Sequence, residues 1–256
     1  YSSAASDVYK RQLMLRDFAP DGAWAEGVGY WSYTVEYLAY YIASLDSALG
    51  TDYGCFDVPG VRETAYFPMY MWGPVKTFSI GDSGADRYDV PQWSLFASKL
   101  RDPGIMALRE EQLTHGGGGF KDILWYDPTV GSEANDLGLD KFFGGMVELA
   151  TMRSSWNDKN ALFTGMRGGD ANVNHGHMDL GSFTLDANGV GWVVDPGGDD
   201  YNLPGYFDSL DNRWKLYRLK GESHNILTIN PDQTPEMDPL SRAEMKLHSK
   251  AKGAYA

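Results

Sequence analysis

The sequence predicts an α+β fold in which a helical region precedes an antiparallel β region. Before residue 141, apolar and aromatic residues recur at the spacing of a helix. After it, short runs rich in β-branched and aromatic residues are separated by Gly, Asn, Asp or Pro, which is typical of strands and turns. Helices followed by strands indicate α+β or two domains in series, so we place a boundary in the polar stretch 128–141.

The clearest predicted helix covers residues 24–49. Its apolar positions repeat in two series, Tyr30, Tyr33, Tyr37 and Tyr41, and Leu38, Ile42, Leu45 and Leu49. The turn Asp21-Gly22 can start this helix, and Gly50 is a stop signal. Further helices are expected over 59–72, opened by Pro59, and near 91–99 and 103–113, with a flexible break at residues 115–119.

Four segments of the second half predict strands. They are VELATMRSSW (147–156), ALFTGMRGG (161–169), GSFTLDANGVGWVVDPG (181–197) and HNILTIN (224–230). Within the third segment, residues 186–189 read Asp-Ala-Asn-Gly. Asn-Gly tolerates the positive φ angles of a tight turn, so this segment predicts a β-hairpin.

Composition limits the classes of partner. The chain has 256 residues, of which 43% are hydrophobic, and a net charge of -13. That charge argues against nucleic acid and anionic membranes, although an acidic protein can hold an anionic sugar in a locally positive cleft. The single cysteine, Cys55, cannot form an internal disulfide. No apolar run approaches the ~20 residues of a membrane span.

Both ends of the sequence are unusual. Residues 1–12, YSSAASDVYKRQ, lack the apolar core of a secretion signal, and DVYKRQ resembles a translated sequencing adaptor. We treat residues 1–12 as an artefact of environmental DNA and expect the natural N-terminus to be missing. The chain stops at SKAKGAYA, within an expected strand, which indicates truncation there too. The expected domains are then 13–140 and 141–256.

Residues 170–183, DANVNHGHMDLGSF, carry the strongest functional signal. His175, His177 and Asp179 alternate, so an extended backbone would point all three to one side. Gly176 between the histidines lets another backbone or a ligand approach closely. The patches VVDPGG, with Asp195, and ESHN, with His224, are each placed like a strand end. Three such patches in a chain with five histidines indicate a site.

His177, Asp195 and His224 are candidate zinc ligands. Zinc favours imidazole nitrogen and carboxylate oxygen in a tetrahedral shell, and three ligands leave a place for water. Asp179 is either a fourth ligand or a partner that orients a histidine. The competing interpretation is that these are hydrogen-bonded polar residues at strand ends.

Two weaker motifs are set aside. Gly81-Asp82-Ser83-Gly84 resembles the nucleophile loop of trypsin-like proteases, but Ala85 stands where that family has a second glycine, and the region is expected to be helical. The glycines 116–119 are not a phosphate loop, because no Gly-Lys-Ser/Thr follows them.

Four segments together resemble the heparinase II/III-like family of polysaccharide lyases, which includes alginate lyases. They are DGAWAEGVGYWSY (21–33), HGHMDLGSF (175–183), DPGG (195–198) and SHNIL (223–227), in the expected order over about residues 20–230. The resemblance implies that 13–140 is the C-terminal part of an incomplete α/α-toroid and that 141–256 is an antiparallel β-sandwich region. It also implies β-elimination on an anionic, uronic-acid-containing polysaccharide.

The implied chemistry needs three functions. A proton must leave C5 beside a carboxylate that has to be neutralised, a base must take that proton, and an acid must protonate the leaving oxygen. By motif position, His175 matches the catalytic histidine, which neutralises the carboxylate or acts as the base. Tyr30 matches the catalytic tyrosine, serving as acid and also as a candidate base, with Tyr33 as its rival.

The resemblance also assigns a metal and substrate contacts. His177, Asp195 and His224 match a zinc site that holds the sandwich strands together near the cleft in some members. Glu26, Arg167 and Arg218 are candidates for substrate binding; Glu26 alternatively orients a neighbour or begins the helix, and surface charge is the commoner role of an arginine.

One departure from the family pattern lies at the N-terminal side. There the family has an asparagine or histidine that binds the uronate carboxylate, and this sequence has the adaptor-like residues instead. We therefore expect the full-length parent to be an active enzyme of the periplasm or exterior. The isolated chain is expected to be weakly active or inactive.

Two other functions compete with a lyase. A glycoside hydrolase on a helical toroid needs two acidic residues about 5–10 Å apart across a cleft. Glu26, Asp21 and Asp86 are the candidates for that pair, without a supporting motif. A non-catalytic, metal-stabilised carbohydrate-binding protein would need only the aromatic surface.

Overall fold

The computed structural model describes residues 14–133, 137–228, 238–250 and 253–255. In these residues helices are followed by an antiparallel sheet, which confirms the α+β class. The adaptor-like residues 1–12 lie outside the described part. The described residues form two compact units: the first contains 14–22, 30–67, 88–133 and 137, and the second contains 23–29, 68–87, 138–228, 238–250 and 253–255. The boundary at residue 140 stays a prediction.

The helices are α1 (Gly27–Leu49), α2 (Phe67–Met71), α3 (Gln92–Leu100), α4 (Pro103–Thr114) and α5 (Phe120–Trp125). Three of them lie where the sequence predicts a helix, over 24–49, 91–99 and 103–113. For α4 the start signal is local: the Asp102 side chain accepts hydrogen bonds from the backbone N–H groups of Gly104 and Ile105, and Pro103 occupies the first turn.

The helix expected over 59–72 is wrong in its first half. A turn follows Pro59, a short 3₁₀ helix covers Glu63–Tyr66, and only then does α2 begin. Gly60 explains the break, since its φ of 88° is not helical and a Cβ there would lie 1.9 Å from the Phe18 carbonyl oxygen. The chain therefore turns at Gly60.

The inward face of α1 differs from the tyrosine series seen in the sequence. Trp31, Val35, Leu38 and Ile42 are buried. Tyr33 and Tyr37 are 64% and 58% exposed, so they line the outer face of the helix. Two buried indoles complete the first unit's core with satisfied N–H groups: Trp31 donates to the Thr64 hydroxyl at 2.8 Å, and Trp93 donates to the Ala65 carbonyl at 2.7 Å.

The second unit contains a six-stranded antiparallel sheet and a two-stranded ribbon. The strands are β1 (Asp140–Phe143), β2 (Val147–Arg153), β3 (Phe163–Asp170), β4 (Phe183–Ala187), β5 (Val190–Val193), β6 (Arg242–Ala243), β7 (His248–Lys250) and β8 (Gly253–Tyr255). The order is β1-β2-β3-β4-β5, with β6 pairing the end of β3, and β7 pairs with β8. In the longest pairing, Val147 lies opposite Gly169 and Arg153 opposite Phe163.

The predicted hairpin joins β4 and β5. Asn188 and Gly189 have φ angles of 55° and 72°, as a tight turn with two left-handed residues requires. The strand expected over 224–230 is wrong for residues 224–228, which are irregular, and residues 229 and 230 lie outside the described part. In the part of the chain that the structure describes, we find no helix with the length and apolar character needed to cross a membrane.

Candidate functional site: a buried carboxylate and three histidines

The histidine motif lies in the loop between β3 and β4, and the expectation of an extended backbone there is wrong. Residues 171–182 form bends and turns, and His175 has a left-handed φ of 56°. Gly176 does allow a close approach, since a Cβ would lie 2.7 Å from the Ala171 carbonyl oxygen. The turns, rather than strand alternation, bring His175 and His177 to the same partner.

Asp179 does not join the two histidines. It is buried and forms an ion pair with the buried guanidinium of Arg167, which comes from β3. Arg167 also donates to the carbonyls of His177 and Asp170. This corrects two expectations, because Asp179 is neither a metal ligand nor a partner of a histidine ring, and Arg167 points into the protein rather than to a substrate. Their pair stabilises the loop.

His177, Asp195 and His224 lie together, as the sequence predicts. One ligand atom from each residue can be chosen so that all three lie within 4.8 Å of one another. Asp195 lies two residues after the end of β5, and its Oδ2 lies 2.8 Å from Nδ1 of His224. His224 follows a short 3₁₀ helix, Gly221–Ser223, rather than a strand. All three side chains are almost completely buried.

The chemistry of this trio suits a metal ion. Among the described residues, His177 Nδ1 and His224 Nε2 are buried ring nitrogens without a hydrogen-bond partner. Such atoms are costly in a protein interior unless something binds them. Burial lowers the pKa of His177, and the neighbouring His224 adds to this effect, so the ring is neutral and can offer a lone pair. The donor set therefore fits zinc.

A residue outside the predicted set completes the site. Asp82 has a fully buried side chain, and its Oδ2 lies 2.8 Å from His175 Nδ1 while its Oδ1 lies 2.8 Å from His177 Nε2. The Tyr206 hydroxyl donates to Oδ1 at 2.5 Å, and Arg213 Nη2 donates to both oxygens at 3.1 and 3.2 Å. One carboxylate thus connects His175 to the trio.

The surroundings keep Asp82 ionised. Burial alone would raise the pKa of Asp82, but hydrogen bonds from His177, Tyr206 and His175 and the charge of Arg213 outweigh burial and hold it well below the usual range. Burial and the hydrogen bond to Asp82 raise the pKa of Tyr206 to about 12, so its phenol stays protonated. The centre of the network is a permanent anion surrounded by donors.

His175 is the member of the network that meets solvent. Its side chain is 20% exposed, whereas those of Asp82 and His177 are fully buried. The ring of Tyr201 stacks on it at a centroid distance of 6.1 Å, and Phe207 contacts it edge-on at 6.5 Å. The exposed part of the imidazole therefore lies beside two aromatic rings.

The remaining predicted residues occupy different places. Tyr30 and Tyr33 lie in α1 within the first unit, Tyr30 half-buried and Tyr33 on the outer face. Glu26 precedes α1 and accepts a hydrogen bond from Asn174, the neighbour of His175, at 2.5 Å. Arg218 is exposed and donates to the carbonyls of Pro196 and Gly198, so it holds the loop that follows Asp195.

Sequence reasoning missed Asp82, Tyr206 and Arg213. The available signal was the segment Gly81-Asp82-Ser83-Gly84, in which glycines flank Asp82. The sequence analysis considered this segment only for its resemblance to a protease motif. Its backbone explains the glycine: Gly81 has a φ of 55°, and a Cβ there would lie 2.4 Å from the His175 carbonyl oxygen. The Asp82 N–H donates to that same carbonyl at 3.0 Å. The loop that contains Gly81 and Asp82 therefore packs directly against the loop of His175.

The fold is similar to that of three solved heparinase and heparan sulfate lyase structures. A heparinase III structure matches with a TM-score of 0.61 at 15% identity, covering 99% of this chain and 38% of that one. A heparan sulfate lyase mutant from Pedobacter heparinus matches with a TM-score of 0.55 at 19% identity, covering 82% of this chain and 30% of that one. A second heparinase III structure matches with a TM-score of 0.53 at 14% identity, covering 88% of this chain and 32% of that one. The chain thus spans between 30% and 38% of these structures.

The second half of the chain is similar to a known family. Residues 149–253 match the family model described as heparinase II/III-like, C-terminal. This match supports the resemblance seen in the sequence motifs. The matched range contains His175, His177, Asp195 and His224, whereas Asp82 lies before it. No curated protein sequence matches the chain.

Proposed function

We propose that the natural protein carrying this chain is a polysaccharide lyase that cleaves uronic-acid-containing polysaccharides by β-elimination. The observation that carries the proposal is His175, a partly exposed imidazole held at Nδ1 by the buried Asp82, within a heparinase II/III-like segment. A histidine fixed by a carboxylate is the arrangement that proton transfer near neutral pH requires.

The reaction itself defines what His175 does. A base removes the proton from C5, the electron pair forms a double bond to C4, and the bond from C4 to the glycosidic oxygen breaks. Because Nδ1 faces Asp82, the Nε2 atom of His175 is the one assigned to the substrate, as base or as donor to the uronate carboxylate. An acid then protonates the leaving oxygen.

We assign the acid role to a tyrosine of α1. Tyr30 is the first candidate, and it also qualifies as the base that takes the C5 proton; Tyr33 is its rival. A phenol can deliver a proton to the leaving oxygen and recover one from C5. Tyr33 is 64% exposed, so a substitution there leaves the helix packing intact and isolates any chemical role.

We further propose that His177, Asp195 and His224 hold a structural zinc ion. The support is the pair of buried, unpartnered imidazole nitrogens beside a buried carboxylate, stated above for the described residues. Zinc would cross-link the 171–182 loop to the loops after β5 and around His224. In this proposal the zinc ion stabilises the loops, and side chains of the protein position the substrate.

The reaction product distinguishes the candidate functions. The natural protein that carries this chain is incubated with a panel of uronic-acid polymers, including heparan sulfate and alginate, and the products are examined by ultraviolet absorbance and mass spectrometry. A lyase leaves an unsaturated uronate that absorbs ultraviolet light. Products heavier by one water, without that absorbance, would instead show a hydrolase. Polymers left intact across the panel would leave only a binding protein.

A further inference from the structure

Asp82 contacts two histidines with different proposed roles. Its Oδ2 faces Nδ1 of His175, and its Oδ1 faces Nε2 of His177, each at 2.8 Å. His175 reaches solvent, whereas His177 belongs to the buried metal trio. The carboxylate is the single group that both rings share, although it lies 93 and 95 residues away in the chain.

The chemistry around Asp82 determines where the ring protons lie. Tyr206 and Arg213 also point hydrogen-bond donors at the carboxylate, and the guanidinium of Arg213 balances its charge. The Tyr201 hydroxyl lies 3.4 Å from both Asp82 Oδ2 and His175 Nδ1, so the Asp82 oxygen, at 2.8 Å, is the nearer partner of that ring nitrogen. An ionised carboxylate can only accept hydrogen bonds. Each ring nitrogen that faces it must therefore carry a hydrogen, which is Nδ1 in His175 and Nε2 in His177.

We propose that Asp82 is the positioning residue that fixes opposite tautomers in the two histidines. His175 is held as the Nδ1–H form, with its lone pair on Nε2, and His177 is held as the Nε2–H form, with its lone pair on Nδ1. What these lone pairs do, proton transfer at His175 and metal binding at His177, rests on the proposed function. The tautomers themselves do not.

The backbone around Asp82 makes this control rigid. The Asp82 N–H donates to the His175 carbonyl, Ser83 Oγ accepts from the Gly29 N–H at 3.0 Å, and Ser79 donates to the Ser83 carbonyl. Neither the Asp82 backbone nor the loop of His175 can shift without breaking these bonds, and the hydrogen bonds from Tyr206 and Arg213 hold the carboxylate itself. A side chain at position 82 that has fewer acceptor atoms must therefore change the tautomers of the two histidine rings, because it cannot move away from them.

Asp82→Asn is the sharpest variant. An amide has nearly the shape of a carboxylate, but it offers one acceptor oxygen and one donor NH₂ group. It can accept from one histidine only, so the other ring must present a lone pair and adopt the opposite tautomer. The matched control is Asp186→Asn, since Asp186 is also buried and accepts from the Val75 and Lys76 N–H groups, which are not histidines.

The measurement is nitrogen NMR of the metal-free chain labelled at histidine, at pH 8, above the ordinary imidazole pKa of about 6.5. Wild type and Asp186→Asn are expected to show Nδ1–H at His175 and Nε2–H at His177. Asp82→Asn is expected to reverse one of them. Zinc affinity is expected to fall about 10–100-fold if the reversed ring is His177, the usual effect of losing such a partner.

The wild-type spectrum tests the proposal even if Asp82→Asn does not fold. Nε2–H at His175 or Nδ1–H at His177 in the wild type would overturn it. So would a folded Asp82→Asn variant whose two rings keep the wild-type tautomers. A natural protein without lyase activity, but with the expected tautomers, would refute the proposed function and leave the role of Asp82 intact.

Discussion

At the residue scale, three histidines are each oriented by a carboxylate. His175 and His177 face Asp82, and His224 faces Asp195. A carboxylate that accepts one ring N–H fixes the direction of the other nitrogen and makes it a stronger base or ligand. The difference between the three lies in exposure, because only the His175 side chain is open to solvent among them. Exposure separates the proposed chemical role from the proposed metal role.

The first prediction tests this separation with two alanine variants. His175→Ala is expected to abolish turnover by the natural protein while its zinc content and melting temperature stay close to wild type, because His175 lies outside the trio. His177→Ala is expected to lose zinc and to melt at a lower temperature, since metal binding and folding are coupled. Zinc content by elemental analysis and melting by calorimetry give both readouts.

The division of roles would be wrong if both variants lost activity and neither lost zinc. His115 supplies a control, because it is exposed and its Nδ1 contacts only local groups at the end of α4. His115→Ala is expected to resemble wild type in activity, zinc content and melting temperature. A loss of zinc in this control would point to non-specific binding by surface histidines.

The second prediction concerns Gly81. Gly81→Ala is expected to lower the free energy of unfolding by at least about 2 kcal/mol, because strain at positive φ adds to a backbone clash with His175. Gly181→Ala is the control: Gly181 has a φ of 84° in the His175 loop, but open space around the added Cβ. It should lose only the strain, about 1 kcal/mol. Equal losses in urea denaturation would show that the contact with His175 contributes nothing.

The site could be predicted from the sequence only where its residues cluster along the chain. His175 and His177 share one motif, and Asp195 and His224 follow within fifty residues. Asp82 could not be linked to them, because its contact depends on two loops 93 residues apart. The sequence also does not show which side chains are buried. Arg167 is buried, and it therefore pairs with Asp179 rather than with a substrate.

At the element scale, local signals predicted most of the secondary structure. The helix near 103–113 and the Asn188-Gly189 turn depend on signals within a few residues, so both were predicted, although the cap at Asp102 was not. Residues 59–66 and 224–228 carry suitable patterns but form turns and irregular backbone, because their conformation depends on tertiary contacts such as that of Gly60 with Phe18. Periodicity alone cannot detect such contacts.

The helices of the first unit contain a buried ion pair that gives the third prediction. Arg109 in α4 donates through Nε and Nη2 to the two oxygens of Asp122 in α5, both at 2.7 Å. Ser94 in α3 donates to the same carboxylate, and Asp89 also pairs with Arg109. Burial alone would raise the pKa of Asp122, but these hydrogen bonds and the Arg109 charge outweigh burial and lower it.

The lowered pKa sets the sign of the pH dependence. Asp122 stabilises the fold fully above its unfolded pKa of about 3.9, and this stabilisation is lost as the pH falls through the lower folded pKa. Asp122→Asn is expected to be less stable by about 2 kcal/mol at pH 7, because the buried Arg109 loses one carboxylate partner and keeps only the half-exposed Asp89 as its counter-charge. Below pH 4 the gap to wild type should narrow. Urea denaturation from pH 7 to pH 2 measures it.

The control for this prediction is an exposed pair. Asp57 pairs with Arg62 at 3.0 Å, but their side chains are 77% and 51% exposed, so solvent screens the interaction. Asp57→Asn should leave the unfolding free energy nearly unchanged over the same pH range. If the gap between Asp122→Asn and wild type stayed constant down to pH 2, the acid sensitivity of the fold would not come from this pair.

At the scale of the whole molecule, the arginines explain how an acidic chain can hold a buried polar site. Arg153, Arg167 and Arg213 are all buried in the second unit and donate to carbonyls or to Asp179 and Asp82. They stabilise loops instead of forming a basic surface. Because these three arginines are buried, they do not form a basic surface stripe that could compensate for the net charge of -13. Under the proposed function, recognition of an anionic polymer would therefore depend on local groups beside His175.

The two compact units give the last prediction. His177, Asp195 and His224 all belong to the second unit, so removal of the proposed zinc ion is expected to act there first. A ligand bound only by the folded state stabilises that state, and its removal raises the rate of local opening. After treatment with a chelator, amide hydrogen exchange is expected to accelerate in the loops 171–182, 194–198 and 220–226. The helices α3 and α4 of the first unit should keep their protection.

His224→Asn supplies the matched test of that expectation. Without one ligand, the variant should already show fast exchange in the three loops, and the chelator should add little to it. Unaltered exchange of the wild type after complete zinc removal would refute a structural metal. Equal acceleration in α3 and α4 would mean that the metal stabilises the fold as one cooperative block rather than through the loops that supply its ligands.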